Sequence, residues 1–220
     1  MKLCTFQIQD CAPAVGLVVG DRVIRITDHL SAVPGSMIEL ITAWADWREP
    51  LQQLAASGAT GIALDQIMLL APVPRPGKIL GIGLNYADHV EESGMDLPAD
   101  QLWFAKMNTS ANGPFSPVDL PKVSETLDYE AEMVFIVGKR CRHLTPESAK
   151  EAIFGYCVGN DVSVRDCSCV RRKSPWASRS IPTRHSARGL SPPMTSTIRT
   201  SSALNASSMM RRGSTRTPVS

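Results

Sequence analysis

Glu130 and Glu132 stand two residues apart inside an otherwise apolar run, residues 127–137, and are the strongest chemical signal in the chain. On a β-strand alternate side chains share a face, so both carboxylates would point the same way. Such a pair repels itself and loses hydration unless something compensates it, and a divalent cation with oxygen ligands does so. From the pair alone, a metal site and a polar strand face turned to solvent are equally good interpretations.

The elements that must position these carboxylates are predicted from apolar spacing and breaker residues. Four strands are expected in this half of the chain, at residues 78–83, 102–105, 127–137 and 154–164. The last of them carries Asp161, directly after Asn160. Between the last two strands, a helix is expected to begin with Thr145 as its N-cap and Pro146 at its first position.

Residues 1–75 are predicted to form a small α/β domain. Residues 14–26 suggest a hairpin that turns at Gly20-Asp21. Residues 36–56 have helical spacing, and Pro50 is expected to break or restart that helix. A proline-rich stretch after residue 71 is expected to act as an extended linker.

Composition places the chain among soluble globular proteins, and we expect a cytoplasmic protein with reduced cysteines. No apolar run of its 220 residues approaches the roughly 18 residues that a membrane span needs, so no membrane partner is expected. The net charge of +2 conceals a split, because residues 177–220 carry seven arginines and no acidic residue. The rest of the chain is therefore acidic.

Three sequence blocks resemble the fumarylacetoacetate hydrolase family. They are IGLNYADHVEESG at residues 82–94, LDYEAE at residues 127–132 and GNDVSVRD at residues 159–166. The resemblance covers about residues 76–176 and implies a β-rich α+β fold. In that fold a partial catalytic domain, an incomplete mixed β-sandwich roll, follows the small N-terminal α/β domain.

The resemblance implies that Glu130, Glu132 and Asp161 bind Mg²⁺, or Mn²⁺ or Ca²⁺ in its place. It also implies a small 2-oxo or β-diketo acid as substrate, an enolate that the metal stabilises, and a homodimer. Arg165 and Asp166 are expected to serve structure, by pairing with charges around the metal strand.

The catalytic residues implied by the resemblance are His89, Glu92 and Lys106. His89 would activate water or move a proton while Glu92 orients its ring, and Lys106 would face the substrate. The alternatives are a solvated amphipathic turn for the His-x-x-Glu pair and a surface lysine at a strand end for Lys106.

The family pattern is expected to stop near Trp176, because no Phe-Asp pair or Gly-Pro-Trp turn follows it. Ser, Thr and Arg make up 24 of the 44 residues from 177 to 220, which predicts a disordered tail. Our hypothesis is a frameshift, since suitable codons for residues 180–190 read in another frame give Gly-Pro-Trp. The alternative is a true Arg- and Ser-rich tail. Loss of the later strands predicts an unstable, aggregation-prone product with little turnover.

The leading interpretation is a metal-dependent hydrolase, isomerase, decarboxylase or hydratase, with an isomerase or hydrolase of aromatic catabolism preferred. The first alternative is a catalytically dead remnant that keeps the metal site. Nucleic-acid binding through the arginine-rich tail is a minor alternative. The tail has no aromatic residue for base stacking and the rest of the chain is acidic, so no nucleic-acid partner is expected.

Overall fold

The computed structural model describes residues 1–86 and 99–166, together with the backbone of residues 198–200. The strands of this part are β1 (Lys2–Gln7), β2 (Ala14–Val19), β3 (Arg22–Arg25), β4 (Ile62–Ala63), β5 (Met68–Leu69), β6 (Ile79–Gly83), β7 (Leu102–Lys106), β8 (Leu127–Asp128), β9 (Ala131–Val137), β10 (Ile153–Asn160), β11 (Ser163–Val164) and β12 (Ile198–Thr200). Its α-helices are α1 (Met37–Thr42), α2 (Trp44–Ala56) and α3 (Pro146–Glu151). The predicted β-rich α+β class is confirmed.

The N-terminal half begins with the predicted hairpin, in which β2 and β3 pair from Val19↔Arg22 to Gly16↔Arg25. Gly20 supplies the positive φ, +61°, that the tight turn requires. The inner face of this sheet packs on α1 and α2, and the resulting core buries Leu17, Leu40 and Leu51. Apolar burial of this kind is the main force that holds the half together.

The predicted helix over residues 36–56 is broken at a different residue from the one expected. The backbone turns at Ala43, between α1 and α2, whereas Pro50 lies inside α2 without ending it. Proline removes a single backbone donor, and the buried Leu51 and Leu54 keep the helix on the sheet. Tertiary packing therefore outweighs the local cost of the proline.

One sheet runs through most of the described chain, in the order β4-β3-β2-β1-β12-β10-β9, with β5 also paired to β1. The pairs β6–β7 and β8–β11 form two separate two-stranded sheets. β12 lies between β1 and β10 and pairs antiparallel with both.

β12 corrects the prediction of a disordered tail at three residues. Residues 198–200 form a strand because β1 and β10 each offer a row of backbone donors and acceptors that a third strand can satisfy. The other residues of the tail, 177–197 and 201–220, lie outside the described part.

The strand predicted over residues 127–137 is interrupted. β8 ends at Asp128 and β9 starts at Ala131, so Tyr129 and Glu130 belong to neither strand. The partner segment is interrupted at the same level, since Asp161 and Val162 separate β10 from β11. The two segments nevertheless stay paired on both sides of the break, β9 with β10 and β8 with β11. Apolar spacing does not reveal such a break in the ladder.

Helix α3 begins as predicted. The Thr145 side chain accepts a hydrogen bond from the backbone of Ser148, and the Ser148 hydroxyl binds the backbone of Thr145 in return. Pro146 occupies the first turn, where its missing N–H costs nothing.

The hydrophobic core crosses the predicted domain boundary. Phe154 of β10 packs edge-on against Trp44 of α2, with ring centroids 4.8 Å apart, and belongs to the same buried cluster as Leu3. The division at residue 75 stays a prediction. In the described ranges no helix is long and apolar enough to cross a membrane.

Candidate metal centre

A single strand register brings the three predicted metal ligands to one face. β9 and β10 pair Glu132 with Gly159 and Ala131 with Asn160. The same register resumes beyond the interruption, where β8 and β11 pair Asp128 with Ser163. Between these ladders the backbone N–H of Asp161 donates to the carbonyl of Glu130 at 2.8 Å, so these two residues stand opposite each other.

This register decides which side chains share a face. Residues directly opposite in an antiparallel ladder lie on the same face, as do alternate residues along one strand. Glu130, Glu132 and Asp161 are therefore on one side, together with Asp128. The prediction that the carboxylates share a face holds for the backbone, although Glu130 and Asp161 lie outside the strands proper.

Small and polar neighbours shape this face. Gly159 stands opposite Glu132, and a Cβ at that position would come within 2.7 Å of Val134 Cγ2. The Asn160 side chain accepts a hydrogen bond from the backbone N–H of Glu130 at 3.0 Å. The Asn160 amide therefore fixes the backbone of one predicted ligand.

Asp161 is neutralised from within the chain. Its Oδ1 atom is buried and forms an ion pair with Lys106 Nζ, at the end of β7. The two side chains are 16% and 28% exposed, so water screens the pair only in part. The structure thus brings Lys106, predicted to face the substrate, to one of the predicted metal ligands.

Arg165 joins two further carboxylates of the same face. It donates from Nε and Nη2 to Asp128 Oδ2, at 2.8 and 2.6 Å, and from Nη1 to Glu130 Oε1 at 2.8 Å. The hydrogen bonds to Asp128 in particular raise the pKa of Arg165, with a further contribution from Glu130. The predicted pairing of Arg165 with charges around this strand is confirmed.

A polar network fixes the segment that carries Arg165. Ser124 is buried, and its hydroxyl lies 2.9 Å from both carboxylate oxygens of Asp166. Thr126 Oγ1 accepts from the backbone N–H of Asp166 at 3.1 Å, and the Thr126 carbonyl accepts from Arg165 N–H at 3.0 Å. No local pattern indicates Ser124 and Thr126 as site residues, because their partners are about 40 residues away.

His89 and Glu92, the predicted catalytic pair, lie outside the described residues. Tyr86, the last residue described before that gap, lies beside β9, since its hydroxyl accepts a hydrogen bond from Met133 N–H at 3.4 Å.

Three carboxylates make a donor set that suits Mg²⁺, Mn²⁺ or Ca²⁺, which prefer oxygen ligands. The backbone positions of Glu130, Glu132 and Asp161 agree with such a site. Within residues 1–86 and 99–166, however, no three His, Cys, Asp or Glu side chains gather closely enough to hold an ion. Lys106 and Arg165 provide the positive charge for two of the three carboxylates. The residues fit a divalent cation in type and backbone placement.

The carboxylate face thus lies in a β-rich α+β fold, with Lys106 and Arg165 paired to it. The family model described as fumarylacetoacetate (FAA) hydrolase C-terminal matches residues 78–210. The chain therefore belongs to the fumarylacetoacetate hydrolase family, a family of enzymes. The match continues past Trp176, where the sequence motifs were expected to end.

Curated relatives and solved structures agree with this assignment. The chain is 31% identical to mitochondrial oxaloacetate tautomerase fahd2 of Xenopus laevis, over 80% of this chain and 56% of the relative. Maleylpyruvate hydrolase of Sphingobium sp. SYK-6, solved with manganese(II) and pyruvate, superposes with a TM-score of 0.68 at 28% identity, covering 93% of this chain and 69% of that one. A putative HpcE protein of Mycobacterium smegmatis gives 0.69 at 26% identity, covering 93% and 68%. The chain thus spans a little over half the length of the curated relative.

Proposed function

We propose that this chain is a metal-dependent enzyme that hydrolyses, isomerises or decarboxylates small 2-oxo or β-diketo acids through an enolate. The observation that carries the proposal is the common register of Glu130, Glu132 and Asp161. The similar proteins support the substrate class, since one is named an oxaloacetate tautomerase and another a maleylpyruvate hydrolase crystallised with pyruvate.

Glu130, Glu132 and Asp161 are the proposed ligands, and Mg²⁺ or Mn²⁺ is the proposed ion. The manganese in the Sphingobium structure supports a divalent ion without choosing between the two. When bound, such an ion neutralises the carboxylates and polarises a substrate carbonyl. To hold it, Asp161 must exchange its ion pair with Lys106 for the metal.

Lys106 is proposed to bind the substrate. The Lys106 ammonium lies beside the proposed ligand Asp161, and its charge suits a carboxylate of an acidic substrate. His89 and Glu92 are proposed to move the proton, with the imidazole as acid or base and the carboxylate orienting it. A homodimer and a cytoplasmic location are proposed with the same enzyme, and sedimentation and cell fractionation test them.

The second candidate is a remnant that binds metal weakly and has no turnover. One observation favours it: Lys106 and Arg165 already neutralise two of the carboxylates. A frameshift near Trp176 is proposed as its origin. The nucleotide sequence of the gene tests this, because a shifted frame that meets stop codons at once or lacks a family-like continuation would exclude it.

Calorimetric titration of the full chain with Mn²⁺, together with oxaloacetate tautomerisation and acylpyruvate cleavage assays, separates these functions. The enzyme requires both metal binding and turnover, whereas the remnant binds metal without turnover. Glu132→Gln should abolish the binding heat, and Glu49→Gln on the exposed side of α2 should leave it unchanged. Equal binding by both variants would refute the proposed ligand set.

A further inference from the structure

Glu130, a predicted metal ligand, lies in the interruption between β8 and β9. Asn160 and Asp161 hold its backbone, but these hydrogen bonds do not fix its side-chain torsions. A metal ligand whose carboxylate must first be ordered binds its ion less tightly. Any residue that fixes the orientation of the Glu130 side chain would therefore strengthen metal binding.

Arg165 is the residue that spans the interruption. Two of its guanidinium nitrogens bind Asp128, before the break, and the third binds Glu130 Oε1 within it. The guanidinium is planar, so bonds from three nitrogens to two carboxylates fix both of them relative to one rigid group. The contact with Glu130 is made to a single carboxylate oxygen, Oε1.

The segment behind Arg165 is itself fixed. The Arg165 backbone donates to the Thr126 carbonyl at 3.0 Å, and the neighbouring Asp166 is held by the buried Ser124. The backbone that carries the guanidinium is therefore held in place by residues 124–126.

We propose that Arg165 is a positioning residue for the metal centre: it holds Glu130 by one carboxylate oxygen and so prepares the other for a divalent cation. This inference rests on the proposed metal site. Groups that orient a metal ligand commonly change metal affinity by about 10- to 100-fold when they are removed.

A purely electrostatic role and a positioning role of Arg165 predict opposite changes in metal affinity when Arg165 is replaced. Arg165 is a cation beside the carboxylates, so a purely electrostatic role means that Arg165→Gln tightens metal binding. A positioning role means that the same substitution weakens it. Arg165→Lys keeps the charge but cannot span two carboxylates with a planar fork, so positioning predicts weaker binding and charge alone predicts no change.

The experiment is calorimetric titration of the full chain and its variants with Mn²⁺, after treatment with EDTA and dialysis. Arg48→Gln, an exposed arginine on α2, is the matched control for loss of one positive charge. We expect about 10- to 100-fold weaker binding for Arg165→Gln, a smaller loss for Arg165→Lys and no change for Arg48→Gln.

Thermal unfolding in EDTA shows how much of each variant is folded, and the binding constant is referred to that folded fraction. Unchanged or tighter binding by Arg165→Gln would overturn the positioning role while leaving the metal site intact. If the unsubstituted chain binds no Mn²⁺, both the metal site and this inference fail. Titration of the unsubstituted chain with Mn²⁺ therefore distinguishes failure of the metal site from failure of the positioning role.

Discussion

Lys106, the last residue of β7, forms an ion pair with Asp161, the residue that follows β10. This contact joins the separate β6–β7 sheet to the ladder that carries the carboxylates. It also places a cation of the chain where a metal ion is proposed to bind. One pair therefore has two roles, since it holds two sheets together and balances the charge of a proposed ligand.

Lys106→Met should lower the free energy of unfolding by about 1–3 kcal/mol, because the largely buried Asp161 carboxylate loses its charged partner. Urea denaturation in EDTA measures this, with Lys122→Met, at an exposed lysine, as the control. A double-mutant cycle with Asp161→Asn isolates the pair, and the second substitution should recover part of the loss. Equal stability of the two lysine variants would contradict the role given to this ion pair.

Phe154→Ala should cost about 3–5 kcal/mol, since it removes a buried ring from a core shared by both halves of the chain. Trp44 packs against this ring, so its fluorescence is one of the probes. We expect the two halves to unfold in one transition, seen equally by circular dichroism. Val123→Ala, at a side chain that is 82% exposed, should change stability by about 0.5 kcal/mol or less. Two separate transitions would show that the shared core does not couple the halves.

Stability should fall at alkaline pH because the Cys4 thiol is buried and the Cys157 thiol is half-buried. Burial raises the pKa of Cys4 to about 12, against a hydrogen bond from Gly16, and burial raises that of Cys157 to about 11. The unfolded chain ionises these thiols near pH 9, the ordinary value, while the folded chain keeps them protonated. Their contribution is thus complete below pH 9 and is lost as pH rises from about 9 to 12.

Denaturation at pH 8, 9, 10 and 11 measures this slope, which should be smaller in a Cys4→Ala, Cys157→Ala variant. The exposed Cys11 and Cys141 serve as controls, and their replacement by alanine should leave the slope unchanged. The same slope in both double variants would mean that other groups cause the alkaline loss.

Self-association should depend on β9, which ends the long sheet in the described part of the chain. Met133, Val134, Phe135 and Val137 are all exposed, so this strand offers apolar side chains on both faces. Phe135→Lys should therefore shift the distribution in sedimentation velocity toward smaller species. Phe115→Lys, at a loop residue that is 66% exposed, is the matched control. An equal effect of both substitutions would indicate a general effect of charge.

Local signals in the sequence predicted much of the fold. The Gly20 hairpin and the Thr145 cap are formed as expected, because turn geometry and capping depend on neighbouring residues. The shared face of Glu130 and Glu132 was also predicted from strand alternation alone. The register with Asp161 then brings in the third carboxylate, as the family resemblance implied.

Features that depend on distant partners were not predictable in this way. The interruption at Tyr129 and Glu130 lies opposite a break at Asp161 and Val162, and no local pattern records it. Likewise, the ion pair of Lys106 with Asp161 and the hydrogen bond of Ser124 to Asp166 join residues 55 and 42 positions apart. The family resemblance identified Lys106 and Asp161 as candidates, whereas nothing local identified Ser124, and the fold determines the partners of all three.

The position of β12 has a consequence for how the protein is made. Its strand joins β1 to β10, yet it consists of residues 198–200, whereas β1 is formed by residues 2–7. The hairpin of β2 and β3 can form early from local contacts, but the join between β1 and β10 must wait until residues 198–200 are synthesised. During translation the edge of β1 is exposed, and chaperone binding at that stage would protect it from pairing with other nascent chains.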